Sequence, residues 1–305
     1  MNFVLKRLLS TIPVVFGVVT ISFFLIHMIP GDPVDIMLGD NASPMDKNLL
    51  RKELGLDKPI SAQFSQFLTK LSHLDLGHSL QTKRPVWDEI KSRIPATLEL
   101  TLATLFFSIL IGIPMGIFAA LKKDTYIDKA LLVVGMLGLS MPAFWLGPIL
   151  IWVFALKFDI FPVSERGSIG HVILPALTLS SGIIAILLRM TRTSMLDVIK
   201  EDYIRVARAK GVHFFKIYFF HALINAIFPL LTIIGLLLGA LLTGTVIIET
   251  IFDWPGIGTL IFEAIQQRDY PVVQGCVLII SLTYVTVNFF TDLSYKVFNP
   301  KVSFD

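Results

Sequence analysis

Residues Asp197–Ile224 read DVIKEDYIRVARAKGVHFFKIYFFHALI, and the nature of this stretch decides what kind of chain surrounds it. It lies between two long apolar runs, yet it carries Lys200, Arg205, Arg208, Lys210 and Lys216 against Asp197, Glu201 and Asp202. Charge at that density does not lie in lipid. Ile199, Tyr203, Val206 and Ala207 recur at helical spacing, and Gly211 then permits a bend before a second short amphipathic run through Phe219. The pattern predicts a helix, a hinge and a helix held at a membrane surface. Ala207, Ala209 and Gly211 are small enough to let another protein's surface approach the backbone, and the basic residues suit acidic groups or lipid headgroups. The plain alternative is a basic loop that only orients the spans on either side.

Composition supports the membrane setting. Of 305 residues 54% are hydrophobic and only 16% charged, and the mean hydropathy is +0.74. A soluble fold of this length needs more charge to cover its surface. The net charge of +3 and the lack of a basic stripe with interleaved aromatics argue against nucleic acid. Cys276 is the only cysteine, so no intrachain disulfide forms. No GxxxxGK[ST] phosphate loop, HExxH or GxSxG occurs. The chain therefore reads as a non-enzyme with no cofactor or metal of its own, whose energy comes from a partner.

Six uncharged runs approach or exceed the roughly 20 residues that cross a bilayer: 8–29, 100–121, 130–156, 172–188, 222–248 and 272–291. The first follows Lys6 and Arg7 without a small-x-small cleavage site, so it is read as a span rather than a signal peptide. Lys122, Lys123 and Lys129, then Arg189, Arg192 and the Asp197 loop, then Lys296 and Lys301 fall on one side. The short loops of the other side carry only Lys157, Arg166 and Arg268. Positive residues mark the cytoplasm, so both termini and the Asp197 loop are expected there. The expected fold is an all-α integral membrane protein of six transmembrane helices. Its parts are a first span (1–30), an extracytoplasmic loop region (31–95), a five-helix core (96–292) and a cytoplasmic tail (293–305). The core holds a cytoplasmic loop at 189–221 and an outer hairpin at 249–271.

The loop region shows helical spacing at 49–54 and 60–71, with turns at 55–59 and 75–77. Within the spans, Gly112 and Gly116, and Gly235 and Gly239, stand four apart, a spacing that lets helices pack closely. Pro142 stands inside the third span, where a freed backbone group must face other helices or a water-filled path, and Ser140-Met141-Pro142 sits where that span could line a pore. Glu99, Glu249 and Asp292 stand near span ends, where snorkelling to the interface accounts for them. After the fifth span, Trp254-Pro255-Gly256 and Arg268-Asp269-Tyr270 bracket an amphipathic stretch, the outline of an interfacial or re-entrant hairpin.

Taken in order, PGDP at 30–33, LGLDKP, DLGHS, VWDEI, SMP followed by FW, DYIRVARAKG with HALINA, FDWPGIG, RDYPVVQG and VFNPK resemble the membrane subunits of binding-protein-dependent ABC importers. The resemblance runs nearly end to end and is nearest to the dipeptide, oligopeptide and nickel branch. In the wider superfamily the cytoplasmic loop has an acidic residue, two alanines and a glycine. Here Arg205 and Val206 stand where the acidic residue and first alanine would fall, a departure that fits the YxRxARAKG form of the peptide branch.

The resemblance implies a type I ABC importer permease working by alternating access in the cytoplasmic membrane of a prokaryote. It implies a second homologous permease subunit, two cytoplasmic ATPase subunits and an extracytoplasmic substrate-binding protein. Asp202, Tyr203, Arg205, Ala207, Arg208, Ala209, Lys210 and Gly211 would form a coupling helix seated in an ATPase groove. Peptide is the implied cargo, with nickel or another small solute as the alternative. The short 163–172 segment, against longer loops expected in some dipeptide permeases, leaves the exact cargo open. A lone secondary transporter would need a mid-span acid or histidine pair, and the chain offers only His27 near the end of its first span.

Overall fold

The computed structural model describes residues 3–28, 34, 43–53, 55–242 and 245–298. The expected turn at 30–33, Gly244 and the tail beyond residue 298 lie outside them. The described residues form helices α1 (Phe3–Met28), α2 (Pro44–Glu53), α3 (Ile60–Ser72), α4 (Val86–Leu121) and α5 (Tyr126–Ser140). They continue with α6 (Ala143–Lys157), α7 (Ile169–Val198), α8 (Asp202–Ala209), α9 (Phe214–Leu242), α10 (Val246–Ile251), α11 (Ile257–Gln266) and α12 (Tyr270–Phe298). Among these residues the only β pairing is a single bridge between His78 and Pro85.

α1, α4, α7, α9 and α12 are each long and apolar enough to cross a membrane. A count of six is reached only if α5 and α6, which meet at a bend of 102°, are taken together as one span. The cause is local. Pro142 forces the preceding residue out of the helical region, and Met141 accordingly adopts an extended backbone (φ −84, ψ 115).

Three boundaries differ from the sequence reading. α4 begins at Val86, so VWDEI is helix rather than loop, and its 36 residues reach about 54 Å, well beyond an apolar layer of roughly 30 Å. The short run expected after Gly211 is continuous with the fifth span, because no glycine or proline separates Phe214 from Ala222, where that span was expected to begin; a π-helical stretch at Ile217–Ala222 absorbs the change of register. That span ends at Leu242, and Val246–Ile251 is a separate short helix.

The chain divides into two compact units, Met1–Pro95 with Gly256–Val285, and Ala96–Pro255 with Thr286–Asp305. In the first, Val86 and Ile90 pack with Leu260, Val272, Val273 and Cys276. α1 lies against α3 through Phe23, whose ring centroid is 5.1 Å from that of Phe64 and 5.6 Å from that of Phe67. In the second, α7 is the central element, with Leu174, Ala176, Leu187, Leu188 and Met195 all buried. α4 approaches it through Gly112 and Gly116: a Cβ on Gly116 would stand 2.5 Å from the Thr191 Cβ and 2.6 Å from the Leu188 carbonyl oxygen. The four-residue glycine spacing is thus a close helix contact, as its sequence predicts.

Candidate functional site

α8 is eight residues long, too short to persist alone in water, so its packing must hold it. Ile204 is fully buried, and Ala207 and Val212 pack beside it on a cluster of Ile117 and Ala120 from α4, Met195 from α7, and Ile217, Tyr218 and Ala222 from α9. Arg208 adds a polar tie: its Nη2 donates to the Tyr218 hydroxyl at 2.7 Å, with the guanidinium 5.6 Å from the ring centre. One small helix is therefore seated on the ends of three spans. Asp202 in its first turn and Arg208 in its last complement the helix dipole.

The glycine has a specific task. The Gly211 N–H donates to the Arg208 carbonyl at 2.9 Å and the Val212 N–H to the Ala207 carbonyl at 3.2 Å, which is a Schellman cap with Gly211 at the left-handed position, φ +70. The opposite side of α8 is open. Tyr203 is 42% exposed and Val206 52%, and Arg205, Ala209, Lys210 and Gly211 are exposed with them. Partial burial, then the nearby Glu201 carboxylate, raises the Tyr203 phenol above its ordinary value. Ala207 departs from the sequence reading: it faces the chain's own core, and only Ala209 and Gly211 lie on the open side.

Asp128 and Arg192 form a feature that the sequence reading missed. Arg192 Nε and Nη2 donate to the two Asp128 carboxylate oxygens at 2.6 and 2.7 Å, and the carboxylate also accepts the Asp124 N–H at 3.0 Å. Asp128 is 2% exposed. This bidentate pair pins the start of α5 to the same end of α7 that carries Met195. Arg192 counts in the sequence only as one more positive charge. The available signal was Thr125-Tyr126-Ile127-Asp128, a Thr-x-x-Asp capping pattern, and Thr125 does cap α5.

Ser140 and Pro142 are exposed at the α5–α6 break and Met141 is half-buried, with Phe144 and Trp145 exposed beyond. The expected hairpin residues are anchors in each unit. In the second unit Asp253 takes the left-handed position (φ 49) of another Schellman cap, and the following Trp254 is fully buried with its indole N–H on the Ala96 carbonyl at 2.8 Å. Pro255, next in sequence, is half-buried. In the first unit Gly256 is buried and accepts the Leu260 N–H, and Arg268 (φ 54) caps α11 in the same way as Asp253 caps α10. There the following residue, Asp269, is buried; it accepts the Ser79 hydroxyl and the backbone N–H groups of Leu80 and Gln81, at 3.1 and 3.3 Å. Tyr270 is 5% exposed. Glu249 is fully buried, so it does not snorkel as expected: α10 folds into the second unit instead of ending a span at the interface. Glu99 instead reaches Arg166, at 2.7 Å.

Five long apolar helices with a sharply bent apolar pair, helices joined by close glycine contacts, and a short helix seated on the ends of three of them define a multi-pass helical membrane protein. The chain belongs to the family described as the binding-protein-dependent transport system inner membrane component, which matches residues 112–304, while the family's N-terminal membrane component matches residues 1–101. It is 40% identical to the dipeptide transport system permease protein DppB of Escherichia coli (strain K12), over 99% of this chain and 98% of the relative. It is 41% identical to the di/tripeptide permease protein DppB of Pseudomonas aeruginosa (strain UCBPP-PA14), with the same coverage. The glutathione transport system permease protein GsiC of Escherichia coli (strain K12) is 39% identical over 100% of this chain and 99% of its own length. In fold, the chain is similar to one of the inward-facing MetNI methionine ABC transporter, with a TM-score of 0.59, 16% identity and coverage of 69% of this chain and 96% of the other.

Proposed function

We propose that this chain is the pore-forming permease subunit of an ATP-driven importer of short peptides, acting by alternating access in the cytoplasmic membrane of a prokaryote. Its termini and α8 face the cytoplasm. A second homologous permease completes the pathway, two ATPase subunits sit beneath, and an extracytoplasmic binding protein delivers the cargo. The observation that carries this reading is α8, with its apolar face seated on α4, α7 and α9 and its open face presenting Tyr203 and Val206 among charges. A push on that open face reaches three spans at once, and through the Asp128–Arg192 pair reaches α5 and its break at Ser140-Met141-Pro142. Asp202, Tyr203, Arg205, Arg208, Ala209, Lys210 and Gly211 form the ATPase contact, with Ala207 holding the helix to the spans.

Short peptides are favoured as cargo because relatives that align over nearly the whole of both chains are named for dipeptides, di/tripeptides and glutathione. The alignment with the Escherichia coli dipeptide permease extends over 334 residues, more than this chain possesses, whereas that with the glutathione permease covers 304. The longer alignment requires insertions in the dipeptide permease relative to this chain. The short 163–172 segment is the place the sequence offers for one of them.

The test is to express the complete transporter with Val206→Asp or Gly211→Leu. Both variants are expected to insert and to pair with the second permease, yet to lose the ATPase subunits on purification and to import no peptide. ATPase retention and normal uptake in both would reject α8 as the coupling element.

A further inference from the structure

The first turn of α5 presents Tyr126 with 90% of its surface exposed, and it does so from a fixed base. Asp128 of the same turn receives Arg192 at 2.6 and 2.7 Å and accepts the Asp124 N–H at 3.0 Å, while the Thr125 N–H donates to the Lys122 carbonyl at 3.0 Å. A buried carboxylate thus holds the turn in place, yet the ring two residues before it touches little of the chain.

The two residues stand on opposite faces of α5. Tyr126, Val133 and Leu137 are seven and four apart and so share one side of the helix, and Val133 and Leu137 are each more than half exposed. Asp128 and Gly135 are buried on the other side, where a Cβ on Gly135 would stand 3.6 Å from the Ala185 Cα of α7. The open apolar face of α5 therefore points away from α7 and ends in an aromatic ring. Lys122, Lys123 and Lys129 flank that end in sequence, and all three are exposed. Among the described residues their only ion pair is that of Lys123 with the exposed Asp124, at 3.7 Å.

We infer that this turn is a membrane anchor that selects anionic phospholipid. The Tyr126 ring sits where headgroups meet acyl chains, Val133 and Leu137 face the chains, and the three lysines hold the headgroups. A protein partner fits less well, because lysine is depleted where proteins meet, whereas a ring closing an apolar face beside lysines is the composition of a membrane–water interface. No pocket is required: lysines within a Debye length of an anionic leaflet act by their number, not by converging on one group. Through Asp128 the anchor is fastened to α7, so the lipid around it bears on the central element of the second unit. The inference needs α5 to lie in a membrane and is independent of the cargo.

The experiment puts a fluorescent reporter at the anchor. Tyr126→Trp is made in the full chain and placed in nanodiscs of phosphatidylcholine and phosphatidylglycerol in equal parts, with a rising share of one or the other lipid brominated high on its acyl chains. The emission that this variant has beyond the unaltered chain's belongs to the reporter, and bromine in contact quenches it. The quenching slope for brominated phosphatidylglycerol is expected to be about fivefold that for brominated phosphatidylcholine, the factor that one lysine near an anionic surface is worth. With Lys122→Gln, Lys123→Gln and Lys129→Gln added, the two slopes should become equal. All of these substitutions lie at exposed positions, and monodisperse elution checks that each variant folds. Equal slopes with the lysines in place, or a preference that survives their removal, would overturn the anchor. So would a reporter that neither lipid quenches, or one that lipid quenches in the chain alone but not in the complete transporter, which would give this face to a protein partner.

Discussion

Asp269 offers the sharpest test of how the first unit is held together. Its carboxylate receives the Ser79 hydroxyl and the N–H groups of Leu80 and Gln81, and Ser79 Oγ in turn accepts the N–H groups of Gln81 and Thr82 at 3.2 and 2.9 Å. One buried side chain thus closes a loop onto a helix junction 190 residues away. Asp269→Ala leaves these donors without their acceptor. Hydrogen bonds to a charged group are worth about 1.5–3 kcal/mol each and share one desolvation, so the loss is on the order of 4 kcal/mol. Asp269→Asn keeps one acceptor oxygen for these donors, so it should cost less, about 1–2 kcal/mol.

The chain supplies its own reporter. Cys276 is the only cysteine and is fully buried in the same unit's core, so labelling by a thiol-reactive fluorophore during heating in detergent reads that unit's opening. With about 3 °C of midpoint per kcal/mol, the alanine variant should label on the order of 10 °C below the unaltered chain, with the asparagine variant between them. If all three label at one temperature, or if the asparagine variant falls below the alanine one, the carboxylate is not the fastening described.

Arg268→Gly should raise the same labelling midpoint by roughly 3 °C, since a non-glycine residue at a left-handed cap costs about 1–2 kcal/mol; an unchanged or lower midpoint means the exposed Arg268 side chain has another role. Arg192→Met strands a buried carboxylate and is expected to cost about 3–5 kcal/mol, while Asp128→Leu combined with Arg192→Met should recover most of it. Circular-dichroism melts of the singles and the double, compared as a cycle, check this, and simple additivity would refute direct pairing. Gly116→Val should abolish monodisperse protein on size-exclusion chromatography because a Cβ there meets Thr191 and the Leu188 backbone, whereas Gly17→Val, with nothing within 4 Å of the added carbon, should behave as the unaltered chain.

Two kinds of information in the sequence account for what could be read from it. Span count follows from hydropathy, which is additive along the chain, and was legible except within 130–156, which reads as one span although the steric rule at Met141-Pro142 bends it. Gly211 was legible too, because a left-handed cap admits few other residues. Asp128 with Arg192, and Asp269 with Ser79, were not, because each pairs residues 64 and 190 positions apart and nothing local marks the partner. Ala207 shows the same limit on a smaller scale: residues at helical spacing share a face, but the pattern does not say whether that face meets the chain's own core or another protein. On α8 the answer comes from Ile204. It is the residue with no exposure, Ala207 stands one turn beyond it on the same side, and Tyr203 and Val206 are turned to the open side. The coupling reading therefore gains a condition absent from the sequence. Ala207 acts by fastening α8 to α4, α7 and α9, so a bulky residue there should loosen the helix from the spans, whereas one at Val206 should disturb only what docks from outside.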